Sequence, residues 1–293
     1  EADEKKALVE MATASGLELL KPPQRNPLKT TTYGTGQLIA SAIHHNAGRI
    51  FLGIGGSATV DGGVGAAAAL GWKFLDKKGQ EIGLGGGQLH KISKIIPPAQ
   101  PMRAELMVLC DVTNPLCGER GAAKVFSPQK GATPKMVEQL ETGLLHLAAV
   151  IKEQLGCDIK DLPGAGAAGG IGAGFTAFMG AKLVSGIETV MSEARLSEAV
   201  ADADWVITGE GKFDHQSLMG KVVSGVLQVA KNAGKKVAVL AGQVRLTPAE
   251  YRKAGIEDAI GCMDDQMTLQ YAIENAEKLL ADAAKKFATT HLF

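Results

Sequence analysis

The residues from 50 to 71 contain the densest set of groups able to bind a small anion. A short apolar run leads into a loop of glycines and polar residues, and an alanine-rich helical pattern follows. Glycines let the backbone approach a ligand closely, and amides at the start of a helix face an anion with the positive end of the helix dipole. The alternative is a tight strand-to-helix turn that binds nothing. The candidate binding residues are Gly55, Gly56, Ser57, Thr59 and Asp61.

A carboxylate and a carboxamide follow the next clear strand pattern. The apolar run 104–109 predicts a strand, and Asp111 and Asn114 come directly after it, before Pro115. Because α/β proteins bind ligands at the carboxyl ends of their strands, both side chains are candidates for chemistry. They fit equally an Asx turn that only satisfies local backbone amides.

Further along the chain, a glutamine and a lysine lie between a proline and a glycine. Gln129 and Lys130 therefore occupy a predicted loop. A lysine in such a loop can reach a phosphate, whereas many lysines of this kind are only solvated. Both interpretations stay open from the residues alone.

A second glycine-flanked acidic block follows the strand pattern at residues 205–208. It contains Glu210 and Asp214, with Gly209 and Gly211 beside the first of them. Carboxylate oxygens are the ligands that magnesium prefers, so two acids four residues apart either share a cation or are separately solvated.

Strands and helices in alternation must position these groups. In the last third, strands at 205–208 and 236–240 flank a predicted helix at 218–230, which is the length of one right-handed crossover. The two strands should therefore be parallel, with the carboxylates at their carboxyl edge. The sequence predicts an α/β fold.

Helix signals are also clear elsewhere in the chain. Thr35 is the predicted N-cap of a helix that ends near Gly48, and Pro134 opens a long helix with one apolar face. The patterns at 187–200 and 267–287 each predict one further helix.

Composition limits the classes of partner. The chain has 293 residues, with 31 basic and 31 acidic residues and 45% hydrophobic content, so we expect globular cores and neither nucleic acid nor an anionic membrane as partner. The 4 cysteines form no C-x-x-C pair and are expected to be reduced thiols. No apolar run is long enough to span a membrane, and no secretion signal stands at the start, so a cytoplasmic location is predicted.

Blocks of sequence in order along nearly the whole chain carry a family resemblance. They are Gly53–Thr59 with Asp61–Gly63, Cys110–Leu116, Pro128–Ala132, Pro163–Gly170 and Ile207–Gly211. Together they resemble the signature blocks of the type I bacterial glycerate kinases. No single block carries the resemblance.

The resemblance implies two α/β domains. Residues 201–293 would form a Rossmann-like domain with parallel strands, and residues 1–200 an inserted glycine-rich α/β domain. Members of this family usually begin with a strand and an Asp-Ser-Phe-Lys-type loop, followed by an Ala-Asp-Gly-Gly-Glu-Gly loop, and neither is present here. We therefore expect the N-terminal half of the Rossmann-like domain, with loops that line the active site, to be absent from this chain.

The reaction implied by the resemblance is transfer of the γ-phosphoryl group of ATP to a hydroxyl of D-glycerate, with Mg²⁺, usually giving 2-phosphoglycerate. Asp61 and Asp111 compete for the role of base, and the strand-end position favours Asp111; Lys130 would offset developing negative charge. Glu210 and Asp214 would bind the magnesium. Substrate or phosphate binding is expected of Gly55, Gly56, Ser57, Thr59, Asn114, Gln129, Gly209 and Gly211.

Two other functions stay open. Gly53, Gly55 and Ala58 fit a relaxed G-x-G-x-x-A pattern, and Asp76 lies near the position of a ribose-binding acid, as in an NAD(P)-dependent dehydrogenase. The second is a catalytically inactive fragment that still binds a metabolite. In each case the partners are small molecules, and a homodimer is left open.

Overall fold

In the computed structural model of the protein, residues 5–219, 222–264 and 266–292 are described. The chain divides into two compact units, of which the first ends at Gly186 and the second begins at Ile187. The sequence places the domain boundary after residue 200, which lies within a short helix of the second unit. Among these described residues, no helix combines the length and apolar character needed to cross a membrane.

The first unit is built on a parallel sheet of four strands, which are β1 (Lys6–Glu10), β2 (Arg49–Gly53), β5 (Glu105–Leu109) and β6 (Lys182–Val184). They lie in the order β1-β2-β5-β6, and every pair is parallel. Strand β2 is apolar and buried through its centre, as expected of a strand covered on both faces. A short antiparallel pair, β3 (Lys73–Leu75) and β4 (Lys94–Ile96), stands apart from this sheet.

The helices of the first unit cover the sheet and form its apolar cores. They are α1 (Ala12–Ser15), α2 (Tyr33–His44), α3 (Val64–Ala69), α4 (Ala122–Phe126), α5 (Pro134–Leu155) and α6 (Ala167–Met179). Helix α5 begins at the predicted proline and buries one face, with Thr133 as its N-cap.

Close packing explains the glycines at the start of α6. Ala168, Gly169 and Gly170 all have positive φ, so the regular helix begins only after them. A Cβ on Gly169 would lie 2.0 Å from the carbonyl oxygen of Thr59, and one on Gly174 would lie 2.0 Å from that of Gly62. These glycines are needed because the start of α6 lies against the backbone of the glycine-rich loop.

The second unit has a three-stranded parallel sheet in the order β7-β8-β9. Its strands are β7 (Trp205–Phe213), β8 (Lys236–Val244) and β9 (Asp258–Gly261). Its helices are α7 (Gly186–Glu193, whose first residue closes the first unit), α8 (Leu196–Ala201), α9 (Val222–Asn232), α10 (Pro248–Lys253), α11 (Leu269–Glu274) and α12 (Ala276–His291). The α/β class with parallel strands is therefore confirmed.

Several local predictions were wrong. Thr35 is buried inside α2 and does not cap it, because its hydroxyl donates to Ser15 Oγ (2.8 Å). The pattern at 187–200 forms two helices separated at Arg195, which has positive φ, and the pattern at 267–287 is divided at Asn275. Helix α9 covers most of the predicted helix 218–230, of which Gly220 and Lys221 lie outside the described residues.

The acidic block of the second unit does not follow the end of the strand, as the sequence predicts, but lies largely within it. Strand β7 continues to Phe213, and Glu210 pairs in register with Ala241 of β8. The glycines at 209 and 211 therefore lie within the strand. Gly209 is needed there because the carbonyl oxygen of Leu240 leaves no room for a side chain.

Candidate active site

A cavity of about 390 Å³ opens at the carboxyl ends of β2 and β5 in the first unit. This is the edge of a parallel sheet at which ligands are expected. The cavity brings together most of the first-unit candidates. Those that line it are Gly55, Gly56, Ser57, Asp111, Gln129 and Lys130.

The glycine-rich loop is held from behind by the last residue of α1 and the segment that follows it. Leu17 N donates to Gly56 O (2.8 Å), and Ala58 N donates to Ser15 O (2.9 Å). Gly56 has φ +67°, which favours glycine, whereas a Cβ on Gly55 would meet no atom within 4 Å. Both glycines are exposed, so their backbone lines the cavity without side chains in front of it.

Lys130 is the most unusual charged group of the cavity. It ends a short 3-10 turn at Pro128–Lys130, and its side chain is 2% exposed rather than solvated. Its Nζ donates to Ser57 Oγ (2.6 Å) and to the carbonyl oxygen of Thr59 (2.7 Å). Burial lowers the pKa of Lys130 from 10.5 to about 7, and the charge of Asp61 partly opposes this change. The hydroxyl of Thr59 is buried and has no partner among the described residues.

Asp61 lies beneath the loop, 1% exposed, and does not line the cavity. Its Oδ2 accepts from the backbone N–H of Thr32 (2.8 Å) and Gly65 (3.3 Å) and from the hydroxyls of Thr32 (3.0 Å) and Thr31 (3.2 Å). Its Oδ1 accepts from Gly63 N (3.2 Å). These donors lie at the N-termini of α2 and α3, so the carboxylate caps two helices. Burial raises the pKa of Asp61, and the hydrogen bonds oppose that rise because they favour the ionised form.

Asp111 is exposed at the mouth of the cavity, beyond the end of β5. Its Oδ1 accepts from Gly186 N (2.8 Å) and from Ser185 Oγ (3.2 Å), which follow β6. The carboxylate is therefore fixed in direction while remaining accessible. Asn114 is turned elsewhere, since its Nδ2 donates to Arg120 O (2.7 Å) and it does not line the cavity.

In the second unit, Gly209, Glu210 and Gly211 line a larger cavity of about 1020 Å³ with largely apolar walls. The Oε1 atom of Glu210 is buried and has no hydrogen-bond partner within the described residues. A Cβ on Gly211 would meet no atom within 4 Å.

Asp214 is separated from Glu210 by the geometry of the strand. Four residues of extended chain span about 13 Å, so the two carboxylates do not converge on one cation. Asp214 instead caps the 3-10 turn His215–Leu218 through Gln216 N (2.8 Å) and pairs with Lys212 Nζ (2.9 Å). No group of three or more His, Cys, Asp or Glu residues suited to a metal occurs in the described part of the chain.

The dinucleotide interpretation fails on topology. Strand β2 has β1 and β5 as its neighbours, whereas Asp76 follows β3, which belongs to the separate antiparallel pair. Asp76 accepts from the N–H of Lys78 (2.8 Å) and Gln80 (3.0 Å) within a turn. It is therefore not at the end of the strand next to β2, where a ribose-binding acid would lie.

Sequence reasoning did not assign roles to several groups that hold the site. Thr31 and Thr32 contact Asp61, and Ser185 and Gly186 hold Asp111. The adjacent threonines before the helical pattern of α2 were the available signal, because hydroxyls at a helix start usually bind backbone or a nearby carboxylate. No local signal links residues 185 and 186 to Asp111.

Comparisons with known proteins match nearly the whole chain to one family. The family described as the glycerate kinase family matches residues 1–292. A glycerate kinase of Halalkalibacterium halodurans and a glycerate 2-kinase of Escherichia coli K12 are each 46% identical to this chain over 291 residues, which are 98% of this chain and 76% of the relative. The crystal structure of a protein proposed to be glycerate kinase 2 of Salmonella typhimurium LT2 superposes with a TM-score of 0.85 at 43% identity, covering 99% of this chain and 76% of that one.

Proposed function

This chain belongs to the glycerate kinase family, and we propose that it transfers the γ-phosphoryl group of ATP to a hydroxyl of D-glycerate, forming 2-phosphoglycerate. The observation that carries the proposal is the match over residues 1–292, which includes the residues of the first-unit cavity. The name of the Escherichia coli relative, glycerate 2-kinase, favours the 2-hydroxyl as acceptor.

In this proposal, the first-unit cavity supplies groups for both anion binding and proton transfer. Gly55, Gly56 and Ser57 present backbone amides, and Lys130 presents the only ammonium or guanidinium group that the described part of the chain places on the cavity wall. Such donors stabilise an anionic oxygen most strongly when they are fixed and screened from water. The buried position of Lys130 and its two short hydrogen bonds meet that requirement.

Asp111 is the proposed base that accepts the proton of the acceptor hydroxyl. It is an accessible carboxylate with a fixed direction at the mouth of the cavity. A general base must reach the reacting proton, which Asp61 cannot do from its buried position among five donors. We therefore assign Asp61 to holding the loop and Asp111 to proton transfer.

The nucleotide substrate of a kinase is its magnesium complex, in which the metal neutralises charge on the phosphates. Magnesium usually binds one or two protein carboxylates together with phosphate oxygens and water. Glu210 fits this donor set because its Oε1 is buried without a partner on a cavity wall, with Gly209 and Gly211 beside it. Asp214 fits it less well, since its carboxylate already caps a turn and pairs with Lys212.

We also propose that the two compact units are the two domains implied by the resemblance, with the second Rossmann-like. The support is its parallel sheet, in which β7 is an edge strand, and Ile207 of that strand is 50% exposed. An edge strand presents unpaired backbone groups with which a further strand can pair, and parallel sheets are normally covered on both faces, whereas the side chain of Ile207 is exposed.

A coupled assay of ADP release tests the function. The protein from the whole open reading frame that encodes this chain should release ADP only when D-glycerate is supplied with ATP and Mg²⁺. Absence of glycerate-dependent release would exclude the kinase reaction. Thermal protection by NAD but not by ATP would instead favour a dehydrogenase.

A further inference from the structure

The walls of the first-unit cavity distinguish between the anions that could bind there. Among the described residues, Lys130 and Asp111 are the only Lys, Arg, Asp or Glu that line it. A nucleotide triphosphate carries several negative charges and would meet one ammonium and one carboxylate. A single carboxylate matches the single ammonium. We propose that this cavity is the carboxylate subsite of the acceptor, in which Lys130 and the amides of Gly55 and Gly56 hold the carboxylate and Lys130 gains a proton as it binds.

This proposal rests on the proposed function, because it assigns one end of the glycerate molecule to a named place. Glycerate offers a carboxylate and two hydroxyls on a three-carbon chain. With the carboxylate at Lys130, the hydroxyls extend within the same cavity, whose other charged group is Asp111. The subsite therefore orients the acceptor relative to the base.

Lys130 lacks a direct counter-charge. Both atoms that accept its hydrogen bonds are neutral, namely Ser57 Oγ and the carbonyl oxygen of Thr59. No described carboxylate lies within ion-pair distance of its Nζ. A buried ammonium in this setting is costly until an anion arrives, and a bound anion makes the charged form favourable.

The charges that face Lys130 come from three sides. Asp61 attracts the ammonium from behind, but its oxygens are engaged by five donors at the starts of α2 and α3. Asp111 lies on the cavity wall, as does the thiol of Cys110, whose pKa burial raises. The raised pKa keeps the Cys110 thiol uncharged at neutral pH, so it adds no charge beside Lys130.

The exposed glycines provide the backbone donors of the proposed carboxylate subsite. Gly55 has no positive φ, and apart from its chain neighbours no described residue lies within 4 Å of the position of a Cβ, so no contact in the described part of the chain requires glycine there. A side chain would instead occupy open space that a ligand needs. Gly55 N, Gly56 N and Ser57 N donate no backbone hydrogen bond within the described residues, so these amides are free to face the carboxylate.

Proton uptake on glycerate binding is a direct test of this subsite. With the pKa of Lys130 at about 7, the amine is about nine-tenths neutral at pH 8 and about one-tenth neutral at pH 6. The carboxylate of glycerate is ionised at both values. The proton comes from the buffer and converts the amine to the ammonium.

Isothermal titration calorimetry with D-glycerate, in buffers of different ionisation enthalpy, counts the protons. The full chain should take up close to one proton per glycerate at pH 8 and very few at pH 6, and its association constant should fall roughly tenfold over that range. Titrations run with and without a non-hydrolysable ATP analogue. Glycerol, which has the hydroxyls but no carboxylate, should bind at least about tenfold more weakly, with no proton uptake.

Two substitutions distinguish loss of the subsite from loss of the folded structure. Gly55→Ala should weaken glycerate binding by roughly tenfold with no loss of thermal stability, because its methyl group meets no protein atom. Lys130→Met should abolish proton uptake. Lys152→Met, a control at an exposed lysine paired with Asp158, should change neither quantity.

The proposal fails if glycerate binds without proton uptake, if glycerol binds equally well, or if inorganic phosphate binds more tightly than glycerate with the same proton uptake. In those cases glycerate-dependent ADP release would still support the kinase function. If the wild-type protein neither binds glycerate nor releases ADP, both the subsite and the proposed function are wrong.

Discussion

Replacement of Lys130 by methionine should change the pH dependence of stability in a calculable way. The side chain is buried, and its pKa falls from 10.5 in the unfolded chain to about 7 in the folded protein. Below pH 7 both states carry the proton, so the cost of burying the ammonium is fully present. As the pH rises from 7 towards 10.5, the folded state loses the proton first, and wild-type stability rises.

The size of this change follows from the two pKa values. Between pH 7 and pH 9 the wild type should gain about 2 kcal/mol of unfolding free energy relative to Lys130→Met. Urea denaturation at half-unit steps of pH gives both free energies. Groups that titrate equally in the two proteins cancel in the difference.

The matched control is Lys152→Met, at an exposed lysine whose pKa is raised by its bond with Asp158. Its difference from wild type should be flat over pH 7 to 9, because this lysine stays protonated in both states. If the Lys130→Met difference is equally flat, Lys130 is not buried as an uncompensated amine, and the reasoning about the cavity is wrong.

Three further substitutions test other parts of the site. Gly169→Ala should destabilise the protein by about 3 kcal/mol in urea denaturation, since its φ is +78° and its Cβ would lie 2.0 Å from Thr59 O; a loss under about 0.5 kcal/mol would contradict the packing. Asp61→Asn should cost about 2 to 4 kcal/mol, because an amide has one acceptor oxygen and its NH2 group must then face donors at the other position, and a fully stable variant would remove Asp61 as the cap of both helices. Asp111→Asn should lower kcat by about 10² or more with little change in KM for ATP, and unchanged turnover would exclude it as the base.

Most of the regular structure followed from local patterns. Strands β2 and β5 are short apolar runs, and α5 has a proline at its start, an N-cap at Thr133 and one buried face. These signals lie within a few residues of one another, so the sequence alone contains them. The family resemblance, which uses motifs along the whole chain, is confirmed by the comparisons.

The errors arose where distant residues decide the structure. Glu210 and its glycines are predicted to follow the end of the strand at 208, yet pairing with β8 extends the strand through them. Thr35 looks like a cap, yet it bonds to a serine 20 positions earlier. The burial of Lys130 depends on Ser57 and Thr59, more than 70 positions away, and no local pattern encodes such contacts.

The sequence provides candidate residues but does not separate their roles. Asp61 and Asp111 could not be ranked by local pattern beyond a preference for the strand end. The structure separates them by exposure, since Asp61 is saturated by donors from two helices and Asp111 faces the cavity mouth. The roles assigned from that difference remain predictions for the substitutions above.

The most direct test of the central claim is the identity of the reaction product. The protein from the whole reading frame, given ATP, Mg²⁺ and D-glycerate, should form ADP and a phosphoglycerate in equal amounts, with ³¹P NMR identifying the ester at the 2-position. Release of ADP that does not depend on glycerate, or no phosphoglycerate at all, would contradict the assignment of this chain as a glycerate kinase.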